Sequence, residues 1–173
     1  MLKPSIEAAL NRQLNRELYS SYLYLAMSAY YDVCHLPGFG SWLRAQAKEE
    51  LEHGMKIYDY IGDAGGRPSL EAIEAPPREW NGPKAAFAEV VAHEQAVTAM
   101  INDLMNLAIA EKDHATAVFL QWFVTEQVEE EKNADSMARS LKLVGDNGHG
   151  VLMLDREAGA RVFTPPAAAA DAP

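Results

Sequence analysis

The sequence predicts an all-α fold: a four-helix bundle with one long crossover and a short fifth helix at the C-terminal end. Three observations carry this. Apolar residues recur at helical spacing over four long stretches, Gly and Pro gather at the breaks, and the breaks run short, long, short along the chain. Helices joined in that order form a bundle in which the long connection returns the chain to its starting end.

Helix A keeps its rhythm from Pro4 to about Tyr31 without an internal Gly or Pro. Pro4 is tolerated in the first turn because its missing N–H would have no partner there anyway. The segment Cys34-His35-Leu36-Pro37-Gly38 interrupts the pattern, and helix B then runs to about Ile61, where Gly62, Gly65, Gly66 and Pro68 stop it. Between Asp63 and Gly82, Pro76-Pro77 and several Gly exclude a helix. That segment reaches roughly 60 Å if extended, enough to run the length of the bundle. Helix C starts at Pro83 and continues to about Glu111; helix D follows a tight turn near Asp113 and ends at Gly145-Asp146-Asn147-Gly148. Val151 to about Arg161 forms the short fifth helix. The bundle domain is set at residues 1–163, and the Pro- and Ala-rich residues 164–173 have too little to bury to be ordered alone, so they are read as a flexible tail.

A chain of 173 residues, 49% of them apolar, suits one domain with a sizeable core. Its formal charge of -10 argues against nucleic acid, which is bound by clustered Lys and Arg, and makes metal cations the more natural guests. No apolar run approaches the roughly 18 residues of a membrane span, and the N-terminus lacks the pattern of a secretion signal. A cytoplasmic location without a membrane partner is therefore expected. Cys34 stands alone, which excludes an internal disulfide and any Cys-based zinc or iron–sulfur knuckle. It is read as a small buried or loop residue.

Acidic residues repeat at one spacing. Glu17 stands thirty-three residues before Glu50-Leu51-Glu52-His53, and Glu94 stands thirty-three residues before Gln127-Val128-Glu129-Glu130. Positions i and i+3 share a helix face, so Glu50 and His53 can grip one ion together, as can Gln127 and Glu130. A carboxylate on one helix and a Glu-x-x-His pair on the next is a ligand pattern of dinuclear carboxylate bundles. Glu17 lies about thirteen residues into helix A, Glu50 about twelve into B, Glu94 about eleven into C and Gln127 about fourteen into D. At 1.5 Å per residue each falls near the middle of its helix, and all four meet at one level.

Most Glu residues on helices face water. Here the faces decide, because residues at ±3, ±4 and ±7 surround a helical side chain. Around Glu94 they include Phe87, Val90, Val91, Val97, Thr98 and Ile101; around Glu17, Leu10, Leu14, Ser21 and Tyr24; around Gln127, Leu120, Phe123, Val124 and Ala134. The face of Glu50 is mixed: Leu43, Ala47 and Ile57 share it with Gln46, His53 and Gly54. Unpaired carboxylates in an apolar interior cost several kcal/mol or become neutral, so a converging set demands counter-charge. Two divalent cations supply it. Oxygen ligands with one imidazole suit iron, manganese or zinc better than calcium, and spacing does not choose among the three. Glu52 and Glu131 are read as solvated charges, and His35, His93, His114 and His149 as loop or surface residues.

With these residues in view, the chain resembles bacterial non-haem ferritin from Leu2 to about Glu157. The matching segments are Met1-Leu2-Lys3-Pro4, Glu17-Leu18-Tyr19-Ser20-Ser21, the Glu50-x-x-His53 pair, and Leu120-Gln121-Trp122 through Glu126-Gln127 to Glu129-Glu130-Glu131. The resemblance implies a ferritin-like bundle assembled as a homo-oligomeric shell of twenty-four subunits for iron storage and detoxification. Each bundle would carry a ferroxidase centre that oxidises Fe(II) with dioxygen or hydrogen peroxide and delivers Fe(III) to a mineral core. Carried over residue by residue, Glu17 and His53 would hold the first iron, Glu50 would bridge both, and Glu94 with Glu130 would hold the second. Gln127 is expected to orient oxidant or water by hydrogen bonds. A third, weaker iron site would use Glu49, Glu126 and Glu129, with Glu130 reaching it as well. Tyr24, seven residues after Glu17 and so on its face, matches the family's tyrosine beside the centre; the position equally suits a core tyrosine bonded to a carboxylate. Trp122 fits either an electron donor or a packing residue.

The chain also departs from related patterns. Gln127 and Glu130 replace the Glu and His of a symmetric paired motif, which makes the second metal weaker and more exchangeable, as suits an iron in transit. Leu51 stands where bacterioferritins carry a methionine haem ligand, so no haem is expected. Ala117 and Leu120 stand where animal ferritins place acids along an iron channel, which leaves the uptake route open. Asp113 is read as a helix cap or a solvated charge. Two other readings compete: a rubrerythrin-like soluble di-iron oxidase or peroxidase, against which the lone Cys34 speaks, and a metal-free bundle that only binds a partner. The cost of burying Glu94 among Val and Ile speaks against the latter.

Overall fold

The computed structural model describes residues 2–164, so all of the expected tail except Thr164 lies outside the described residues. The described residues form five helices and no strand: α1 (Pro4–Val33), α2 (Pro37–Asp63), α3 (Pro83–Ala110), α4 (His114–Val144) and α5 (Gly148–Ala158). Several boundaries differ from the sequence reading, among them the end of α5, which stops at Ala158, short of the expected Arg161. Pro37 and Gly38 belong to the first turn of α2, where Pro again loses nothing by lacking an N–H. Gly38 is needed there because α5 packs against it: a Cβ would lie 1.6 Å from the Asp155 carbonyl oxygen. α5 begins at Gly148, earlier than expected, because the Asn147 side chain accepts the N–H groups of His149 and Gly150 and caps it. Asp113 caps α4 by accepting the Thr116 N–H at 3.1 Å. Cys34, just past α1, is exposed.

α1 and α2 form one antiparallel hairpin and α3 and α4 a second, and the hairpins join along α1 and α3. The two ends of the bundle are marked by Tyr31, whose hydroxyl donates to the Pro83 carbonyl at 3.1 Å, and by Lys3, whose ammonium meets the Glu111 carboxylate at 3.0 Å. α2 and α4 meet through long side chains, among them Tyr60 on Thr116 at 2.9 Å and His53 against Trp122. α5 lies across one end on α2 and α4.

The crossover from 64 to 82 is held to α1 by a ladder that the sequence does not announce. Glu7, Asn11 and Asn15 share a face at i, i+4 spacing. The Glu7 carboxylate accepts the Arg67 N–H at 2.9 Å. Asn11 donates to the Arg67 carbonyl at 3.1 Å and accepts the Ser69 N–H at 2.6 Å. Asn15 donates to the Ser69 carbonyl at 2.9 Å and accepts the Glu71 N–H at 2.8 Å. At the other end Tyr30 donates to the Trp80 carbonyl at 2.7 Å. These contacts place the start of α3 opposite the end of α1 and so set its glutamate at the level of the others. Asn11→Ala removes two rungs and should lower unfolding stability by about 1–2 kcal/mol, since each net hydrogen bond contributes about 1 kcal/mol. An unchanged urea midpoint would show that the ladder adds nothing.

The core comes in two pieces. One apolar cluster, including Tyr24, Tyr31, Phe39, Leu43 and Phe87, fills the α5 end, and a second, including Ile6, Leu14, Ile57, Ile101 and Phe123, fills the other. Between them lies a buried polar layer of Glu17, Glu50, His53, Glu94, Gln127 and Glu130, no member more than 4% exposed. Each long helix contributes to this layer. Two large apolar clusters compensate the cost of one buried polar layer in a way that a single small core would not.

Candidate metal centre

The layer is densest around Glu17, Glu50 and His53, whose ligand atoms all lie within 4.8 Å of one another. α1 supplies the first and one turn of α2 the other two, so the i, i+3 spacing turns directly into a shared direction. His53 Nδ1 lies 3.5 Å from Glu50, and the ring is held edge-on between Trp122 and Phe123, with centroids 5.3 and 6.0 Å away. Gln13 donates to Glu17 at 2.7 Å, while the second carboxylate oxygen of Glu17 is buried without a partner among the described residues. A buried carboxylate oxygen rarely stays unpaired, and facing Glu50 and His53 it has the chemistry of a metal ligand.

The second half is arranged differently. The Glu94 carboxylate accepts from the Tyr24 hydroxyl and, at 3.4 Å, from the Gln127 amide, which also reaches Thr98 at 3.2 Å. Glu130 accepts from the Gln46 amide. Glu130 also groups with Glu126 and His53, with ligand atoms within 4.8 Å. His53 thus stands between two clusters. Of the other acids expected at a third site, Glu129 is exposed and Glu49 is engaged by the Arg161 guanidinium. The layer therefore brings together Glu17, Glu50 and His53 on one side and Glu126, Glu130 and His53 on the other, with Glu94, Gln127 and Tyr24 hydrogen-bonded beside them.

Electrostatics follow from burial and crowding. Burial and then the Glu50 charge push the Glu17 carboxyl well above its ordinary value; burial and then the charges of Glu94 and Glu130 do the same to Glu50. Glu94 is raised by burial, against the pull of its hydrogen bonds from Tyr24 and Gln127. Burial, followed by the Glu94 charge, lifts Glu130 to about 8. Burial and the charges of Glu94 and Glu50 raise the Tyr24 hydroxyl well above 10, so it remains a donor at neutral pH. Four carboxyls with raised values in one buried layer form a candidate site in which either protons or cations can offset the crowded charge.

Residues 7–144 match the family described as Ferritin, a ferritin-like domain. The chain belongs to the ferritin family. It is 41% identical over 157 residues to the bacterial non-heme ferritin of Escherichia coli O157:H7, covering 91% of this chain and 95% of that relative. With the bacterial non-heme ferritin of Staphylococcus aureus (strain USA300) it shares 38% identity over 163 residues, 94% of this chain and 98% of the relative. Among solved structures, an open pore ferritin from the archaeon Archaeoglobus fulgidus superposes with a TM-score of 0.93 at 47% identity, covering 94% of this chain and 99% of that one. The fold is thus ferritin-like, with the short fifth helix included.

Four residues of this ferritin's site escape a reading of the sequence for ligands. Gln13 and Gln46 each stand four residues before a ligand-type glutamate, on its face, and donate to carboxylates of the layer. That spacing was a usable signal. Arg161 comes from beyond α5, and no local pattern ties it to Glu49. His93 corrects the surface assignment: it is 7% exposed, with Nε2 2.8 Å from Ser20 Oγ and Nδ1 3.3 Å from Arg16. Burial and then Arg16 lower its value to about 4, so it is neutral at pH 7. Ala86, Val90 and Val97 on its own face marked it as inward. His35, His114 and His149 are exposed, as is Glu52; Glu131 is half-buried.

Proposed function

We propose that this ferritin stores and detoxifies iron as a cage-forming subunit that oxidises Fe(II) to Fe(III) in its buried layer. The single observation that carries the reading is the Glu17–Glu50–His53 cluster, with its unpartnered carboxylate oxygen, set in a layer of glutamates from all four helices. The relatives named as ferritins support the same reading, and none of the observations favours a rubrerythrin-like oxidase.

In this reading Fe(II) is the substrate. Glu17 and His53 hold the first ion, Glu50 bridges, and Glu94 with Glu130 hold the second. Carboxylates stabilise Fe(III) over Fe(II) by charge, and a bridging one keeps two metals near the roughly 3.5–4 Å typical of dinuclear sites. Each Fe(II) gives one electron, so the pair can serve a two-electron oxidant, either dioxygen reduced to hydrogen peroxide or hydrogen peroxide reduced to water. Gln127 turns its amide toward the Glu94 side of the pair. Tyr24 holds the Glu94 carboxylate in place by donating to it. Glu126 and Glu129, with Glu49 and Glu130, form the weaker third site on the way out of the layer. Haem has no part in this scheme.

The subunits are proposed to close a shell of twenty-four around the ferric mineral. Two measurements test the proposal. Stopped-flow absorbance should show rapid Fe(III) formation when Fe(II) is mixed with the metal-free protein and either dioxygen or peroxide, and native mass should correspond to a closed cage. A monomer or dimer that oxidises iron no faster than buffer would sink it.

A further inference from the structure

Asp155 of α5 accepts the Phe39 N–H at 2.9 Å, and Gly38 and Gly159 allow the two backbones to touch. This docking brings the chain beyond Ala158 back over α2. Trp42 and Glu49 are seven residues apart and share that face. Arg161 lies across both: its guanidinium carbon sits 4.4 Å from the Trp42 ring centroid, and Nη2 contacts the Glu49 carboxylate. A basic side chain from the C-terminal segment therefore occupies one of the acids assigned to the third site.

The contact has the marks of a replaceable counter-ion. Arg161 and Glu49 side chains are 19% and 23% exposed, so solvent ions can reach the pair. A guanidinium carries five N–H donors, and a dedicated clamp uses most of them. Here Nη1 is buried without a partner among the described residues. Glu126, on α4, already converges with His53 and Glu130 to within 4.8 Å, which leaves two acids outside that cluster: Glu129, exposed, and Glu49, held aside by Arg161.

We propose that Arg161 is a tethered competitor of metal ions for Glu49: it neutralises this carboxylate while the third site is free and is displaced when an ion binds there. The proposal rests on the third-site reading given above. An internal cation of this kind weakens the third site, so an ion held there is passed on toward the cage interior instead of being trapped. A tethered charge cannot be washed out, so the weakening is built into each subunit.

Calorimetric titration of the metal-free cage with Zn(II), which is not oxidised, tests this without turnover. Arg161→Gln should tighten the weakest class of sites about tenfold, equal to about 1.4 kcal/mol, and leave the tighter classes unchanged. In a Glu49→Gln background the same substitution should give no gain. Equal tightening in both backgrounds, or none in either, overturns the proposal. A Glu126→Gln/Glu129→Gln variant separates the two claims. If it retains the weakest class, the third site itself is wrong and the competitor falls with it. If it loses that class while Arg161→Gln has no effect, only the role of Arg161 is refuted. Arg161→Lys, which keeps the charge, should behave nearly as the parent.

Discussion

Glu50→Ala is expected to abolish rapid Fe(II) oxidation while leaving the cage assembled, and Glu94→Ala to do the same. Glu50 is the residue that the geometry makes central, since its carboxylate lies with Glu17 and His53 in one cluster and also feels the charges of Glu94 and Glu130. Losing an outer partner of a metal site typically costs about 10–100-fold, so losing the carboxylate proposed to bridge both irons should cost at least about 100-fold. The fold should survive because the substitution removes a carboxyl whose burial is already penalised, which offsets the packing lost. Glu50→Gln separates charge from size: it keeps the volume and should still lose the rate. Native mass and helical circular dichroism of each variant guard against a trivial collapse. Parent rates in both alanine variants would mean that the chemistry happens elsewhere.

The metal-free protein is expected to lose stability as pH rises through the neutral range, and bound metal to reverse that trend. A carboxyl whose folded value is raised binds its proton more tightly in the folded chain than in the unfolded one. Its stabilising contribution is complete below the unfolded value of 4.5 and is lost as pH climbs toward the folded value, about 8 for Glu130. Glu17, Glu50 and Glu94 are raised as well and act in the same direction. A tenfold difference in proton affinity between folded and unfolded chains is worth about 1.36 kcal/mol, so the Glu130 effect alone is on the order of a few kcal/mol. Thermal midpoints of the metal-free cage should therefore fall between pH 5 and pH 8, on the order of several degrees. Divalent ions require these protons to leave, so Zn(II) added at pH 7 should release protons into a weakly buffered solution and raise the midpoint; at 100 times its dissociation constant the gain is about 2.7 kcal/mol. A metal-free midpoint that rises across this range would contradict the buried, protonated layer.

Much of this was legible in the residues. Periodicity and the placement of Gly and Pro gave four long helices and the long connection, because helices declare themselves through local spacing and their breakers act locally. Glu94 was recognisable as inward because all the residues at ±3, ±4 and ±7 around it except Thr98 are apolar, and Glu17 because Leu10, Leu14 and Tyr24 share its face. Glu50 was ambiguous on the same test. Its neighbours Gln46 and His53 are polar for the same reason that it is, being members of the layer, and a test that counts apolar neighbours fails where polar residues cluster inside. His93 carries the same inward signal in Ala86, Val90 and Val97, while its polar partners Ser20 and Arg16 lie on another helix and leave no local trace.

What the sequence determined by itself was the set of helices, the one-level placement of the acids and the pairing of Glu50 with His53, all consequences of rise and turn along single helices. Tertiary structure decided the rest. The crossover lies on α1 because Glu7, Asn11 and Asn15 meet a backbone some sixty residues away. Gln13 and Gln46 became donors to the layer, Glu94 and Gln127 were drawn together, and Arg161 reached Glu49 across 112 positions of chain. Such contacts depend on the relative rotation and offset of packed elements, which many side chains fix jointly and no local spacing records.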